Sequence, residues 1–257
     1  AFNLSMLNNI FKIDQEKIAV SDEGIRFNNF QVKDSAGNGL SINGLAGTGN
    51  FTNYNLNLDV KADNFQALNS TKADNKLFYG KLFFDSRLNI KGTESAPVVD
   101  GRLTINDKTK MTVVLPQNDP GVADREGVVV FVDKDSQAND SLFLANYDSL
   151  NTSSMQGMDI SVNISVDKAA DFTLIVDEGS GDFLNVRGGA ELNAGIDPGG
   201  KINLTGSYEL EQGSYELTFN FLKRKFDIVK GSKIVWEGEP TDANVDITAK
   251  YTANTSP

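Results

Sequence analysis

The chain has 257 residues, a net charge of −11 and a pI near 4.5, so it lacks the basic footprint that nucleic-acid phosphates require. It contains no cysteine and no histidine, which removes thiol and imidazole nucleophiles, thiolate zinc sites and the commonest general base and metal ligand. No stretch reaches the roughly 20 apolar residues of a membrane-spanning helix, and we read residues 1–257 as one domain taken from a longer or processed chain.

In chain order, the first clear signal is the weak alternation from Phe27 to Val32, followed by turn residues from Asp34 to Gly39. The run from Tyr54 to Ala62 then places Tyr54, Leu56, Leu58 and Val60 on one side of a strand, because side chains in a strand point alternately to opposite faces. Asn64 to Asn69 reads as a short helix capped by Asn64. Leu88 to Ile90 and Leu103 to Ile105 are short strands, with a turn from Gly92 to Pro97 between them. Pro116 to Met158 is a polar excursion rich in Asp, Asn and Ser, interrupted by the strand-like Gly127 to Val132, and is expected to form a hairpin or loop.

Beyond it, Ile160, Val162, Ile164 and Val166 alternate without an error, and Phe172, Leu174 and Val176 form a weaker version of the pattern. Asp177 to Asp182 is a turn after Val176, and Asp197 to Gly200 is a turn separating the strands at Leu192 to Ile196 and Ile202 to Leu204. The cleanest alternation comes last, in Tyr215, Leu217, Phe219 and Phe221 and again from Ala243 to Tyr251, where Val245 and Ile247 share a face. At this spacing the chain holds on the order of 15 to 20 strands in a meander of hairpins.

Such a sheet is strongly two-faced. Each Phe or Tyr contributes roughly 150–250 Å² of apolar surface, whereas a monomer seldom leaves a patch beyond about 300–600 Å² uncovered. With no helices to cover it, the sheet must roll onto itself, pair with a copy, or hold an apolar ligand. From the pattern alone, its apolar face is either the core of a closed sandwich or the wall of an open groove.

Several local signals carry less. Lys223, Arg224 and Lys225 form the strongest basic run and read as a solvated hairpin turn. Asp177 to Asp182 and Asp133 to Asp135 lack the twelve-residue calcium-loop spacing, so no metal is expected there. Gly179, Gly181, Gly188 and Gly189 do not lead into a helix and make no phosphate loop. Trp236, the one tryptophan, fills space on the apolar face. Asp34-Ser35-Ala36, Asp140-Ser141-Leu142 and Asp148-Ser149-Leu150 have the form of a three-residue O-glycosylation signal. No catalytic residue and no cofactor is expected.

Val186-Arg187-Gly188-Gly189-Ala190-Glu191-Leu192, then Gly200 to Leu210, then Gly213-Ser214-Tyr215-Glu216-Leu217 resembles the C-terminal domain of TamB. The likeness continues through Phe226-Asp227-Ile228, Gly231 to Pro240 and the strand ending at Tyr251. It is strongest over 172–251, and Asn69 to Gly80 and Gly101 to Pro116 resemble the family's more variable part. The resemblance implies an all-β fold, a long curled sheet of hairpins, U-shaped or taco-like, that encloses a hydrophobic trough. It also implies a non-enzymatic role in the periplasm: carrying phospholipid between the inner and outer membranes, with links to outer-membrane biogenesis.

On this reading the full-length protein is anchored in the inner membrane and reaches a TamA-like outer-membrane barrel, and membrane contact lies outside these residues. The apolar residues named above would then line the trough and hold phospholipid acyl chains. The alternatives are a scaffold for outer-membrane barrels that acts by strand pairing, through the first strand or Ala243 to Tyr251, and a solid structural β-protein.

Overall fold

The computed structural model describes residues 2–4, 8–13, 18–115, 156–219 and 222–252. Among them there are 17 strands and no helix. The first five are β1 (Phe2–Leu4), β2 (Asn9–Ile13), β3 (Ile18–Ser21), β4 (Gly24–Lys33) and β5 (Gly39–Gly47). Two long strands follow, β6 (Asn55–Ser70) and β7 (Phe78–Thr93), and then two short pairs: β8 (Ala96–Ile105) with β9 (Lys110–Val114), and β10 (Asp159–Val166) with β11 (Asp171–Asp177). Two more long strands, β12 (Asp182–Ile196) and β13 (Ile202–Phe219), lead into β14 (Leu222–Ile228), β15 (Lys233–Gly238), β16 (Ala243–Asp246) and β17 (Ala249–Tyr251).

The strands form one large mixed sheet. Neighbours are antiparallel from β4 through β8 and again from β12 onward. At one seam the order changes: β8 runs parallel to β10, and β9 parallel to β11. A pure meander of hairpins cannot make this seam, because a parallel pair requires a crossover of a dozen residues or more. The connection is residues 115–158. The expected polar excursion and its strand-like Gly127 to Val132 belong to it, and 116–155 lie outside the described residues.

Three of the four long strands, β7, β12 and β13, each pair with two short ones laid end to end. β7 pairs with β8 through 84–93 and with β9 through 78–81; β13 pairs with β15 through 204–209 and with β14 through 214–219. The breaks line up across the sheet as a crease. It passes the register shifts at Ala62/Phe65 in β6 and Arg187/Gly188 in β12, and the gaps after Ile105, Val166, Ile228 and Asp246. The strands run up one wall, through the crease, and along a second wall.

At the crease, ladder hydrogen bonds are lost and short polar side chains replace them, since buried backbone groups must stay paired. The fully buried Thr109 hydroxyl accepts from Phe83 N–H at 3.1 Å and donates to Phe83 C=O at 3.2 Å. Ser232 Oγ accepts from Thr248 N–H at 3.0 Å and donates to Val229 C=O at 2.8 Å. Asp34, 1% exposed, closes the crease at the β4–β5 turn: its carboxylate accepts from the N–H groups of Ala36, Asn38 and Gln66 and from the Asn38 amide.

Two sequence expectations fail here. Asn64 to Asn69 is strand, not helix. Two register shifts in β6, at Ala62/Phe65 and Gln66/Leu68, insert extra residues, with Asn64 at a φ of 46°, and so space the buried Phe65 and Leu68 three apart. Spacing of three is a helical period, although bulges produced it. Lys223, Arg224 and Lys225 lie within β14 rather than in a turn, in register with Thr218, Leu217 and Glu216 of β13.

The buried core is small and follows the crease. Phe11, Ala62 and Phe65 form one cluster, with Val32, Leu40 and Phe84 packed against it, and Phe11 stacks on Phe65 at 5.5 Å. Val186, Leu210 and Ile228 form the other, against which Phe172, Leu184, Tyr208, Tyr215 and Ile247 pack. Tyr208 stands on the first wall and Phe172 on the second, with ring centroids 6.2 Å apart. The crease therefore closes toward the apolar side.

Candidate apolar groove

Residues in register on neighbouring strands share a face, so the ladder shows how far the apolar face extends. One row on the first wall runs Phe30, Ile42, Val60, Leu88, Gly101, Val162, Ala194, Leu204. The adjacent row runs Phe27, Gly44, Leu58, Ile90, Val99, Ile160, Ile196, Ile202. Eight strands at about 4.8 Å spacing make each row roughly 34 Å long. A row on the second wall runs Phe78, Val113, Leu174, Leu184, Tyr215, Phe226, Tyr251.

Parity is kept across the crease by an extra residue. On β13, Leu204, Tyr208 and Leu210 take even numbers on the first wall, whereas Tyr215 and Leu217 take odd numbers on the second. The shift between Leu210 and Gln212 absorbs Glu211 and returns the apolar residues to one side. Backbone approach is tight at some row positions. Gly101 has a φ of +152°, and a Cβ there would sit 2.1 Å from the Arg87 carbonyl oxygen, so only glycine fits between Leu88 and Val162.

The register places most of the sequence-predicted groove residues together. Leu56, Leu58 and Val60 on β6 share the face of Ile160, Val162, Ile164 and Val166 on β10. Tyr54 lies just ahead of β6. Phe172, Leu174, Tyr215 and Leu217 share the second wall, and Leu217 lies opposite Arg224, whose guanidinium stands over the Tyr251 ring at 5.6 Å. Val245 is in register with Ile234 and hence with Tyr208, while Ile247 packs on the crease cluster. Val176 falls at the shift between Ile175 and Asp177, where register assigns no face. Phe219 is paired through its backbone with Leu222, and Phe221 lies outside the described residues.

Burial separates the rows from the crease. Val60, Leu88, Val162 and Leu204 are half-buried, whereas Leu68 and Leu210 are each 1% exposed. Trp236 stands on the first wall in register with Gly206 and Ala243, its indole N–H donating to Pro240 C=O at 3.0 Å. The rows also include Ile42, Leu88, Ile90 and Val99, which no single perfect alternation reveals; their signal is cross-strand register, not local pattern.

Two titratable groups mark the crease. The Tyr208 hydroxyl is buried without a hydrogen-bond partner among the described residues, and burial, followed by the nearby Asp171 charge, pushes it up to about 12. Glu211 accepts from Lys230 and, at 2.9 Å, from Lys168, and these bonds hold its carboxyl down to about 2. Among the described residues no three acidic side chains gather as a metal site, and Asp177 serves its turn by accepting from Gly179 N–H at 2.7 Å.

No curated protein and no solved structure matches the chain. Residues 28–257 match the family model of the TamB C-terminal domain. That family serves outer-membrane assembly in the Gram-negative envelope and is a transport and assembly family rather than an enzyme family. Since the match spans nearly the whole chain and its mixed all-β sheet, the chain belongs to the TamB C-terminal domain family.

Proposed function

We propose that the protein is a non-enzymatic periplasmic conduit that carries phospholipid between the inner and outer membranes, its acyl chains lying along the apolar rows. The observation that supports this reading is row continuity: apolar or glycine positions follow one another over eight strands with no charged residue between them. Each methylene kept from water is worth about 0.8 kcal/mol, so a sliding tail needs an unbroken apolar lining, not a shaped pocket. Except at Phe30, which is buried, the side chains of these rows are half-buried, which leaves them available to a tail. The full-length protein would be anchored in the inner membrane and meet a TamA-like barrel at the outer one.

Photoreactive residues test the reading in cells. Placed at Leu58, Val162 or Leu217 they should capture phospholipid, whereas at Asp59 and Asn163, on the opposite face, they should not; equal capture on both faces rejects the groove.

One observation favours a second reading, assembly of barrel proteins by strand pairing. Among the described residues β16 pairs only with β15, and β17 only with β14, so this edge is open, and Val245 on it is 57% exposed. Asp246→Pro should then abolish partner binding while leaving lipid capture at Val162 intact. Loss of lipid capture with partner binding retained excludes strand pairing as the primary role.

A further inference from the structure

The face opposite the apolar rows carries a feature that neither reading uses. Lys61 on β6, Arg87 on β7 and Arg102 on β8 are in direct register, three cations side by side on adjacent strands of a chain whose net charge is −11. Like charges directly opposite one another on a sheet are destabilising, and long basic side chains in an acidic protein ordinarily find carboxylates. Here they do not: all three are exposed, and none makes an ion pair with a described residue.

The row forms the floor of a cleft of about 790 Å³ on the polar face. Gln31 and Ser41 continue the same register row, and Thr104 and Asn38 add further hydrogen-bonding groups to the lining. At the crease end the cleft is bounded by Asp63 and Asp85, and Asp85 Oδ1 is engaged by Asn64 N–H at 2.6 Å. The bulge that sets Asp63 and Asn64 of β6 against the single residue Asp85 of β7 thus also shapes this end of the cleft.

From this arrangement we infer that the cleft is an anion site for a phosphoester whose neighbouring hydroxyl or ammonium groups reach Asp63 and Asp85. Two guanidinium forks beside an ammonium present several convergent N–H donors, the geometry that suits phosphate oxygens. A bound dianion also removes the repulsion within the row. The flanking carboxylates disfavour a bare, highly charged polyanion and select a phosphate that carries its own donors. A soluble phosphoester and a lipid headgroup share this chemistry. The site lies on the opposite face from the apolar rows and stands whether or not those rows carry acyl chains.

The test uses the intact protein at low ionic strength, with glycerol 3-phosphate followed by calorimetry and phosphatidylglycerol vesicles in phosphatidylcholine followed by co-sedimentation. Wild type should bind at least one probe, and Arg87→Gln/Arg102→Gln should bind it at least tenfold more weakly. Lys91→Gln, which removes a cation on the same face of β7 outside the cleft, should bind like wild type. Binding of glycerol 3-phosphate alone identifies a soluble ligand, and vesicle binding lost in the double variant identifies a headgroup.

Urea unfolding keeps the inference falsifiable: relieving the repulsion should leave the midpoint of the double variant unchanged or raised. A lowered midpoint makes the row a structural element and overturns the inference. So does failure of both probes to bind, or equal weakening by Lys91→Gln.

Discussion

The crease and the walls are built from the same strands yet obey different rules. At the crease, Leu68, Leu210, Thr109 and Ala170 are essentially sealed from water, and the Thr109 and Ser232 hydroxyls and the Asp34 carboxylate stand in for ladder bonds lost there. On the walls, Val60, Leu88 and Val162 are equally apolar in type but only half-buried. Stability is concentrated along one line, and the surfaces to either side of it are left open. A sheet that is to hold something else on its apolar face needs this division, because a face packed to native density has no room for a guest.

The sharpest way to break the comparison is truncation in each region. Leu210→Ala removes a sealed side chain and should cost about 2–5 kcal/mol. Leu58→Ala, on an open row, leaves no closed cavity and should cost less than about 1.5 kcal/mol. Urea unfolding of the two variants decides the matter. Equal losses would mean that the walls are packed as tightly as the crease and that the apolar rows are core.

The walls were legible in the sequence and the crease was not. Perfect alternation in Leu56, Leu58 and Val60, or in Ile160 through Val166, fixes a strand and its apolar side locally, and the structure has both. The crease depends on residues that interrupt alternation, and an interruption looks like something else: Phe65 and Leu68 look helical because bulges separate them by three. Thr109 and Ser232 look like loop polars, although each replaces backbone bonds. The parallel seam was hidden for a different reason, since no local pattern distinguishes a strand that pairs parallel across a 115–158 connection from one in a hairpin. Which rows join is a property of register, and register is set by partners far away in sequence.

Tyr208 sharpens the comparison from the crease side. An unfolded tyrosine ionises near pH 10, and in the folded protein this hydroxyl is pushed up to about 12. Because the folded state resists losing the proton, the stability linked to this group is complete below the unfolded value and is lost as pH rises through 12. Tyr208→Phe should flatten that part of the alkaline fall. It also removes a buried hydroxyl that has no partner among the described residues, so at pH 8 the variant should be at least as stable as wild type, by up to about 1 kcal/mol. A variant that loses stability at pH 8 would show that the hydroxyl is paired and the crease wetter than its burial indicates.

The smallest effect belongs to Glu211, the extra residue that lets β13 cross the crease without turning its apolar side outward. Its carboxylate bridges Lys168, in the β10–β11 turn, and Lys230, in the β14–β15 turn, and so ties three ladders together where their backbones are interrupted. The lysine side chains are 72% and 75% exposed, so water and salt screen both pairs and the net contribution is small. Its sign is nevertheless definite. An unfolded Glu titrates near 4.5 and this one is held down to about 2, so the stability it adds is present above 4.5 and disappears as pH falls toward 2. Glu211→Gln should therefore unfold at a slightly lower urea concentration than wild type at pH 7 in low salt. The difference should vanish in 1 M salt and shrink as acid titrates the wild-type carboxylate. A salt-independent loss would instead assign the residue's role to its backbone: the bulge itself, not the charge it carries, would be what holds the two walls at their angle.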